Sequence, residues 1–173
     1  MDLESRIRTV PDFPKPGIQF KDITTLLSDP EAFNAVVFAL AQRYHDKGLT
    51  KVVGVESRGF IFGAALAHAL GLGFVPIRKV GKLPAATFQR SYDLEYGSAT
   101  IELHRDALAP EDRVVLIDDL LATGGTLAAA AELIDEAGAH LEEIWVLIEL
   151  GFLPGRAKLP GRRVHSEVLV ASA

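Results

Sequence analysis

The chain has 173 residues, 49% of them hydrophobic, which fits one compact domain with a full core. A net charge of −5 lacks the global basic signature of a nucleic-acid binder, and no run of eighteen apolar residues offers a membrane span. With no cysteine there are no disulfides, thiol catalysis or thiolate metal sites, and the five histidines show no ligand spacing for a protein-built metal centre.

Met1-Asp2-Leu3-Glu4 does not open a signal peptide, so a cytoplasmic location is the expectation. Linkers, repeats and low-complexity tracts are absent from the pattern, and residues 1–173 read as a single domain. The first notable segment runs from Phe13 to Thr24. Its two prolines and a glycine stiffen an irregular path that exposes Phe13 and Phe20. A proline-rich surface loop is the bland alternative. Asp29 then caps a helix with Pro30 at its first position, and Phe33, Val36, Val37, Leu40 and Tyr44 follow helical spacing until Gly48.

Lys51–Val55 reads as a strand and Phe60–Leu70 as a helix. Between them, Glu56-Ser57-Arg58-Gly59 turns into a helix start, a natural anion site where Arg58 can grip a pyrophosphate through two hydrogen bonds. A capped turn with a surface arginine would look similar. Phe74–Ile77 is the next strand. It delivers Arg78, Lys79 and Lys82 beside Gly81, three cations suited to a highly charged leaving group, though also to a solvated basic turn.

Ala85–Tyr92 and Ser98–His104 alternate polar with apolar residues, which predicts an antiparallel pair. The polar stretch Ser91–Gly97 between them reads as a lid over a site, or as an exposed hairpin tip.

Val114–Ile117 is an aliphatic run suited to a fully buried parallel strand. Asp118 and Asp119 follow, at what should be a solvent-facing strand end. After them comes Leu121-Ala122-Thr123-Gly124-Gly125-Thr126, and Leu127–Ala137 reads as a helix. Glycines turn backbone N–H groups toward an anion, the helix start adds donors and positive dipole, and two carboxylates accept from vicinal hydroxyls. Together these would hold a phosphorylated sugar. A Walker loop is excluded because no lysine lies between Asp112 and Arg156, and no G-x-G-x-x-G follows the strand. Ile144–Glu149 and a short strand near Val168–Val170 complete the pattern, and beyond Ala137 the chain offers core strand and little chemistry. Alternating strands and helices predict an α/β fold with a mostly parallel twisted sheet, whose ligands lie beyond the strands' carboxyl ends.

These segments resemble type I phosphoribosyltransferases. Val114–Thr126 resembles their motif for 5-phosphoribosyl pyrophosphate (PRPP). Phe13-Pro14-Lys15-Pro16-Gly17-Ile18-Gln19-Phe20-Lys21-Asp22-Ile23 and Glu56-Ser57-Arg58-Gly59-Phe60 resemble the hood and pyrophosphate loop of the adenine-specific members.

The resemblance implies a small N-terminal hood (roughly 1–28) and a flexible antiparallel flap (roughly 84–104) on the parallel sheet. It implies that Asp118 and Asp119 hold the ribose and that Leu121, Ala122, Thr123, Gly124, Gly125 and Thr126 hold the 5′-phosphate. Glu56, Ser57, Arg58, Arg78, Lys79 and Lys82 would surround pyrophosphate, with a cis peptide before Ser57. Phe20 would stack on adenine while the backbone at Gln19 and Lys21 reads its edge. Glu95, Tyr96 and Arg58 would be catalytic.

The implied reaction converts adenine and PRPP to AMP and pyrophosphate in purine salvage, with Mg²⁺ carried by PRPP and a homodimer as the assembly. A xanthine or other 6-oxo-purine enzyme shares the core, and the hood argues against it. A PRPP- or purine-sensing regulator would need a DNA-binding extension, for which the dozen residues before the hood leave no room.

Overall fold

A computed structural model describes residues 1–94 and 97–172. Glu95 and Tyr96, two of the residues assigned to catalysis above, lie outside the described residues. The hood is more regular than its prolines imply. Strands β1 (Arg8–Pro11) and β2 (Gln19–Asp22) pair antiparallel, Val10 opposite Phe20, and the Phe13–Pro14 peptide between them is cis. An Arg8–Asp22 ion pair closes the open end of this ribbon. Asp12 Oδ1 accepts the Gly17 N–H at 2.7 Å and organises the other end.

Helix α1 (Thr24–Ser28) leads into α2 (Pro30–Tyr44), whose start is the one the sequence implies: Asp29 accepts hydrogen bonds from the Glu31 and Ala32 amides. Strand β3 (Lys51–Val55), helix α3 (Gly59–Leu70) and strand β4 (Gly73–Lys79) follow, and β3 and β4 pair in parallel. Then come β5 (Thr87–Asp93), β6 (Ser98–His104), β7 (Arg113–Leu121), α4 (Gly125–Glu136), β8 (His140–Leu150) and β9 (Val164–Val170). The main sheet has the order β5-β6-β4-β3-β7-β8-β9. β4, β3, β7, β8 and β9 run parallel, while β6 pairs antiparallel with both β4 and β5.

The aliphatic run of β7 shows why its strand must be central. Val114 and Leu116 enter the core under α4, and Val115 and Ile117 enter the core under α2 and α3. On that second face Phe62 packs on Trp145, ring centroids 5.7 Å apart, and both side chains are fully buried. With α3 on one face and α4 on the other, the connections leaving β3 and β7 diverge. A crevice therefore opens between the carboxyl ends of these neighbouring strands, the topological switch point where α/β sheets bind ligands.

Among the boundaries that differ from the sequence reading, the end of β7 bears on the site. β7 does not stop at Ile117, because the long β8 keeps pairing with it, Asp118 opposite Val146 and Leu121 opposite Glu149. Asp118 and Asp119 are consequently buried, with 8% and 6% exposure, rather than solvent-facing. Gly59 makes this packing possible. A Cβ there would lie 2.7 Å from the Ile117 carbonyl oxygen and 2.9 Å from Asp118 Oδ1.

Gly59→Ala should therefore push α3 off β7. The overpacking should cost about 1–3 kcal/mol and lower the calorimetric midpoint by several degrees. An unchanged midpoint would mean that the helix start is free to back away.

Candidate active site

The crevice is a cleft of about 650 Å³. Its walls include Glu56, Ser57, Arg58, Lys79, Lys82, Asp118, Asp119, Ala122, Thr123, Gly124 and Thr126, which three separate segments of the sequence supply. Arg78 stands just behind this wall, paired with Glu56, and Leu121 and Gly125 are buried beneath the loop they belong to.

Glu56 leaves the end of β3 at a cis Glu56–Ser57 peptide. Its carboxylate is the hub of the basic side of the cleft. It accepts from Lys82 Nζ at 2.5 Å, from the Lys79 amide at 2.9 Å, and from both Arg78 Nε and Nη2 at 3.3 Å. Burial by itself pushes this carboxyl upward, but the hydrogen bonds from Lys82, Lys79 and Arg78 overcome that and bring it down to about 2. Glu56 therefore stays ionised throughout the neutral range and gathers the side chains of Arg78 and Lys82 and the main chain of Lys79. It cannot donate to a pyrophosphate itself.

The acidic side is built differently. Burial, and next the charge of Asp119, raise the Asp118 carboxyl well above the ordinary aspartate value. Asp118 Oδ1 accepts the Asp119 amide at 2.8 Å, and Arg58 Nε donates to Asp119 Oδ2 at 2.5 Å. The guanidinium thus engages Asp119 alone, and an approaching pair of ribose hydroxyls would supply the donors the two carboxyls lack.

The phosphate loop follows directly. Gly124 adopts φ +82 and precedes the first turn of α4, which no side chain caps, so the helix opens its backbone donors toward the cleft beside Thr123 and Thr126.

This loop rests on a segment that the sequence reading passed over. A Cβ on Gly124 would strike the Gly155 carbonyl, and one on Gly155 would strike the Ala122 carbonyl, so the two backbones touch. Gly155 is held by its neighbour Arg156, whose Nε and Nη2 donate to Glu149 at 2.6 and 2.7 Å, while Ser166 Oγ donates to the same carboxylate at 2.8 Å. Beyond Ala137 the chain thus supplies support for the loop rather than a reactive group. A Gly-Arg pair shortly after the Glu149-Leu150 end of β8 was the available signal. Tyr92 is a second addition: it lines the cleft and lies against Gly125, where a Cβ would meet its ring at 3.1 Å.

A second groove, about 510 Å³, adjoins the first and is lined by Val10, Phe13, Phe20, Lys21, Asp22, Ile23, Thr24 and Arg58. Phe13 packs edge-on against Phe20 with centroids 5.1 Å apart. Arg58 borders both cavities and places its guanidinium carbon 5.8 Å from the Phe20 ring centre. The strand period sends the Gln19 side chain to the opposite side of the hood, where it borders a separate groove with Thr9 and Phe152. Phe20, Lys21 and Asp22, but not Gln19, line the Phe20 groove. Lys21 ties its ammonium to Thr9 Oγ1 at 2.9 Å.

The phosphoribosyl transferase domain family matches residues 22–158. An adenine phosphoribosyltransferase of Chloroflexus aurantiacus is 59% identical over 165 residues, which is 95% of each chain. Among solved structures, adenine phosphoribosyltransferase from Thermoanaerobacter pseudethanolicus superposes with TM-score 0.93 at 48% identity over 98% of both chains. The Giardia lamblia enzyme, complexed with 9-deazaadenine, superposes with TM-score 0.92 at 46% identity, covering 98% of this chain and 96% of that one. A buried acidic pair, an uncapped helix and a cation cluster at one switch point, next to an aromatic groove, agree with these likenesses: the chain belongs to the adenine phosphoribosyltransferases, pentosyltransferases of the phosphoribosyl transferase domain family.

Proposed function

We propose that the cleft holds PRPP and the Phe20 groove holds adenine, so that the two meet at Arg58. The observation that carries this reading is the single side chain shared by both cavities: Arg58 touches the acidic pair at one end and faces the aromatic ring at the other. The Giardia enzyme is complexed with 9-deazaadenine, which supports an adenine-like base as the ligand of this chain.

In this reading Leu121–Thr126 anchor the 5′-phosphate on the start of α4, and that remote binding orients the reacting end of the sugar. Asp118 and Asp119 accept the ribose hydroxyls and place negative charge beside the anomeric carbon as its bond to pyrophosphate breaks. Adenine N9 attacks from the opposite face of the oxocarbenium-like centre. Arg78, Lys79 and Lys82 take over the pyrophosphate, exchanging the Glu56 carboxylate for the departing anion. Backbone groups at Gln19 and Lys21 read the purine edge, and Glu95 exchanges the purine proton near N7 with Tyr96 beside it.

The carboxylates of the cleft are already engaged, Glu56 by cations and Asp119 by Arg58, so this donor set fits a magnesium ion that enters on PRPP and keeps most of its water. When bound, that ion neutralises charge on the diphosphate. Asp118 and Asp119 can order its water. The hood covers the base, the β5–β6 hairpin and its tip serve as a flap that excludes water from the cation, and the working form is a cytoplasmic homodimer.

A panel of purine bases tests the pairing of groove and substrate. Adenine should turn over with PRPP and Mg²⁺, and hypoxanthine, guanine and xanthine should be slower by at least about 10³-fold, since a 6-oxo group accepts and mismatches a backbone acceptor placed for the 6-amino group. Comparable rates with any 6-oxo purine would defeat it.

Phe20→Ala should raise the KM for adenine by the loss of base stacking, on the order of 1–3 kcal/mol, and leave calorimetric PRPP affinity nearly unchanged. Collapse of PRPP binding would instead make Phe20 a structural residue.

Asp118→Asn separates stability from activity. Because its carboxyl is raised in the folded state, the two states bind protons equally below the ordinary aspartate range, and ionisation penalises the fold increasingly as pH rises above it. The asparagine variant should gain a few degrees in thermal midpoint at pH 8 and nothing near pH 3, while turnover falls by about 10². A variant that is less stable at pH 8, or fully active, would contradict the role given to the pair.

A further inference from the structure

The loop that carries Lys82 is held from beneath by a carboxylate that takes no part in the steps above. Glu102 lies in β6, opposite Arg78 in register, and is 2% exposed. Its Oε1 accepts the backbone amides of Lys82 at 3.0 Å and Leu83 at 2.8 Å. Its Oε2 accepts from Thr87 Oγ1 at 3.3 Å and Gln89 Nε2 at 3.4 Å. Among the described residues no cation forms an ion pair with it. Burial would push its carboxyl upward, yet the Leu83 and Lys82 amides and the two side-chain donors hold it below the ordinary range. A buried negative charge without a cation is costly unless hydrogen bonds replace the lost water. Here half of those bonds come from the loop backbone, so the charge and the loop conformation depend on each other.

Lys82 is consequently fixed at two points. Glu102 fixes its main chain, and Glu56 receives its ammonium at 2.5 Å. Only the second contact must break when an anion arrives. Gly81, at φ +86, lets the chain turn sharply just before this point, and the Val80 amide is tied to the Thr100 carbonyl at 3.0 Å.

We propose that Glu102 is a positioning residue for the diphosphate end of the PRPP site: its charge keeps the 80–84 loop in place while the Lys82 side chain swings from Glu56 to the ligand. A pre-placed backbone limits the ordering cost of binding to one side chain, and a loosened loop would have to be ordered at each turnover. The proposal rests on the assignment of Lys82 to pyrophosphate.

The test is steady-state kinetics of Glu102→Gln in both directions, with Lys82→Ala as the reference. Glutamine keeps an acceptor for the loop but removes the charge. The KM for PRPP should rise about 10-fold, and in the reverse direction the KM for pyrophosphate should rise similarly, while the KM values for adenine and AMP stay within about twofold. Lys82→Ala should show the same split, more strongly. A merely structural role would lower the thermal midpoint and move all four constants together, or none of them, and either result overturns the proposal. If Lys82→Ala leaves the PRPP and pyrophosphate constants unchanged, the assignment of that lysine fails first. Should Glu102→Gln not fold, Thr87→Val with Gln89→Leu removes the donors to Oε2 without touching the loop. That double variant should raise the PRPP constant in the same direction by a smaller factor, and no split there would overturn the proposal.

Discussion

Two like charges on consecutive residues at the end of a buried strand are the constraint around which this structure is arranged. β8 extends the pairing of β7 past Ile117 and takes Asp118 and Asp119 out of water, so neither carboxylate is stabilised by solvent. Asp118 responds by resisting ionisation, and Asp119 by recruiting Arg58. Because Arg58 immediately precedes α3, the close approach of that helix through Gly59 is what brings the guanidinium within reach. The fold therefore sustains a locally unfavourable site with its best-packed helix, as expected where function and stability compete. A ribose that donates hydroxyl hydrogens to both carboxylates would relieve the same frustration, and relief on binding is differential stabilisation of the ligand-bound state.

The opposite wall of the cleft follows the complementary rule. Arg78, Lys79 and Lys82 would repel one another if left alone, and Glu56 and Glu102 bind their side chains or their backbone. A chain with net charge −5 thus carries a concentrated positive patch only where it is held by buried carboxylates. Such a patch at the mouth of a cleft attracts polyanions selectively, without making the whole surface basic. The carboxylates stand in for an anion until one arrives, so the cations are already gathered and little reorganisation is left to binding.

Much of this was readable from residues, for identifiable reasons. Lys51–Val55 is a strand with the bounds its apolar run implies, and Asp29-Pro30 starts α2 as a capping signal should, because both depend on local chemistry. Three of the chemistry-bearing segments, 56–58, 79–82 and 118–126, stand in one cleft because the carboxyl ends of a parallel sheet converge whatever the details of packing. What sequence missed is non-local. The length of β7 is decided by its partner β8, and Asp118-Asp119 look like a loop until that pairing is known. The hood's prolines suggested an irregular path, but the alternation that pairs β1 with β2 spans seven intervening residues and escapes local periodicity.

The phosphate loop shows how far such dependence reaches. Its Gly-Gly signature explains how the backbone can curl around an anion, but an isolated glycine loop has no reason to remain curled, since glycine gives up the most conformational freedom when ordered. The restraint comes from Gly155, some thirty positions later, whose backbone fits against Ala122 and Gly124 with no room for a side chain on either partner. Gly155 in turn is placed by the Arg156–Glu149 pair and by Ser166 on β9, the last strand to join the sheet. The far edge of the sheet thus has a function although it carries no reactive group. It supplies the fixed surface against which a loop of permissive residues holds one shape, and a phosphate anchored there can orient chemistry at the other end of the sugar.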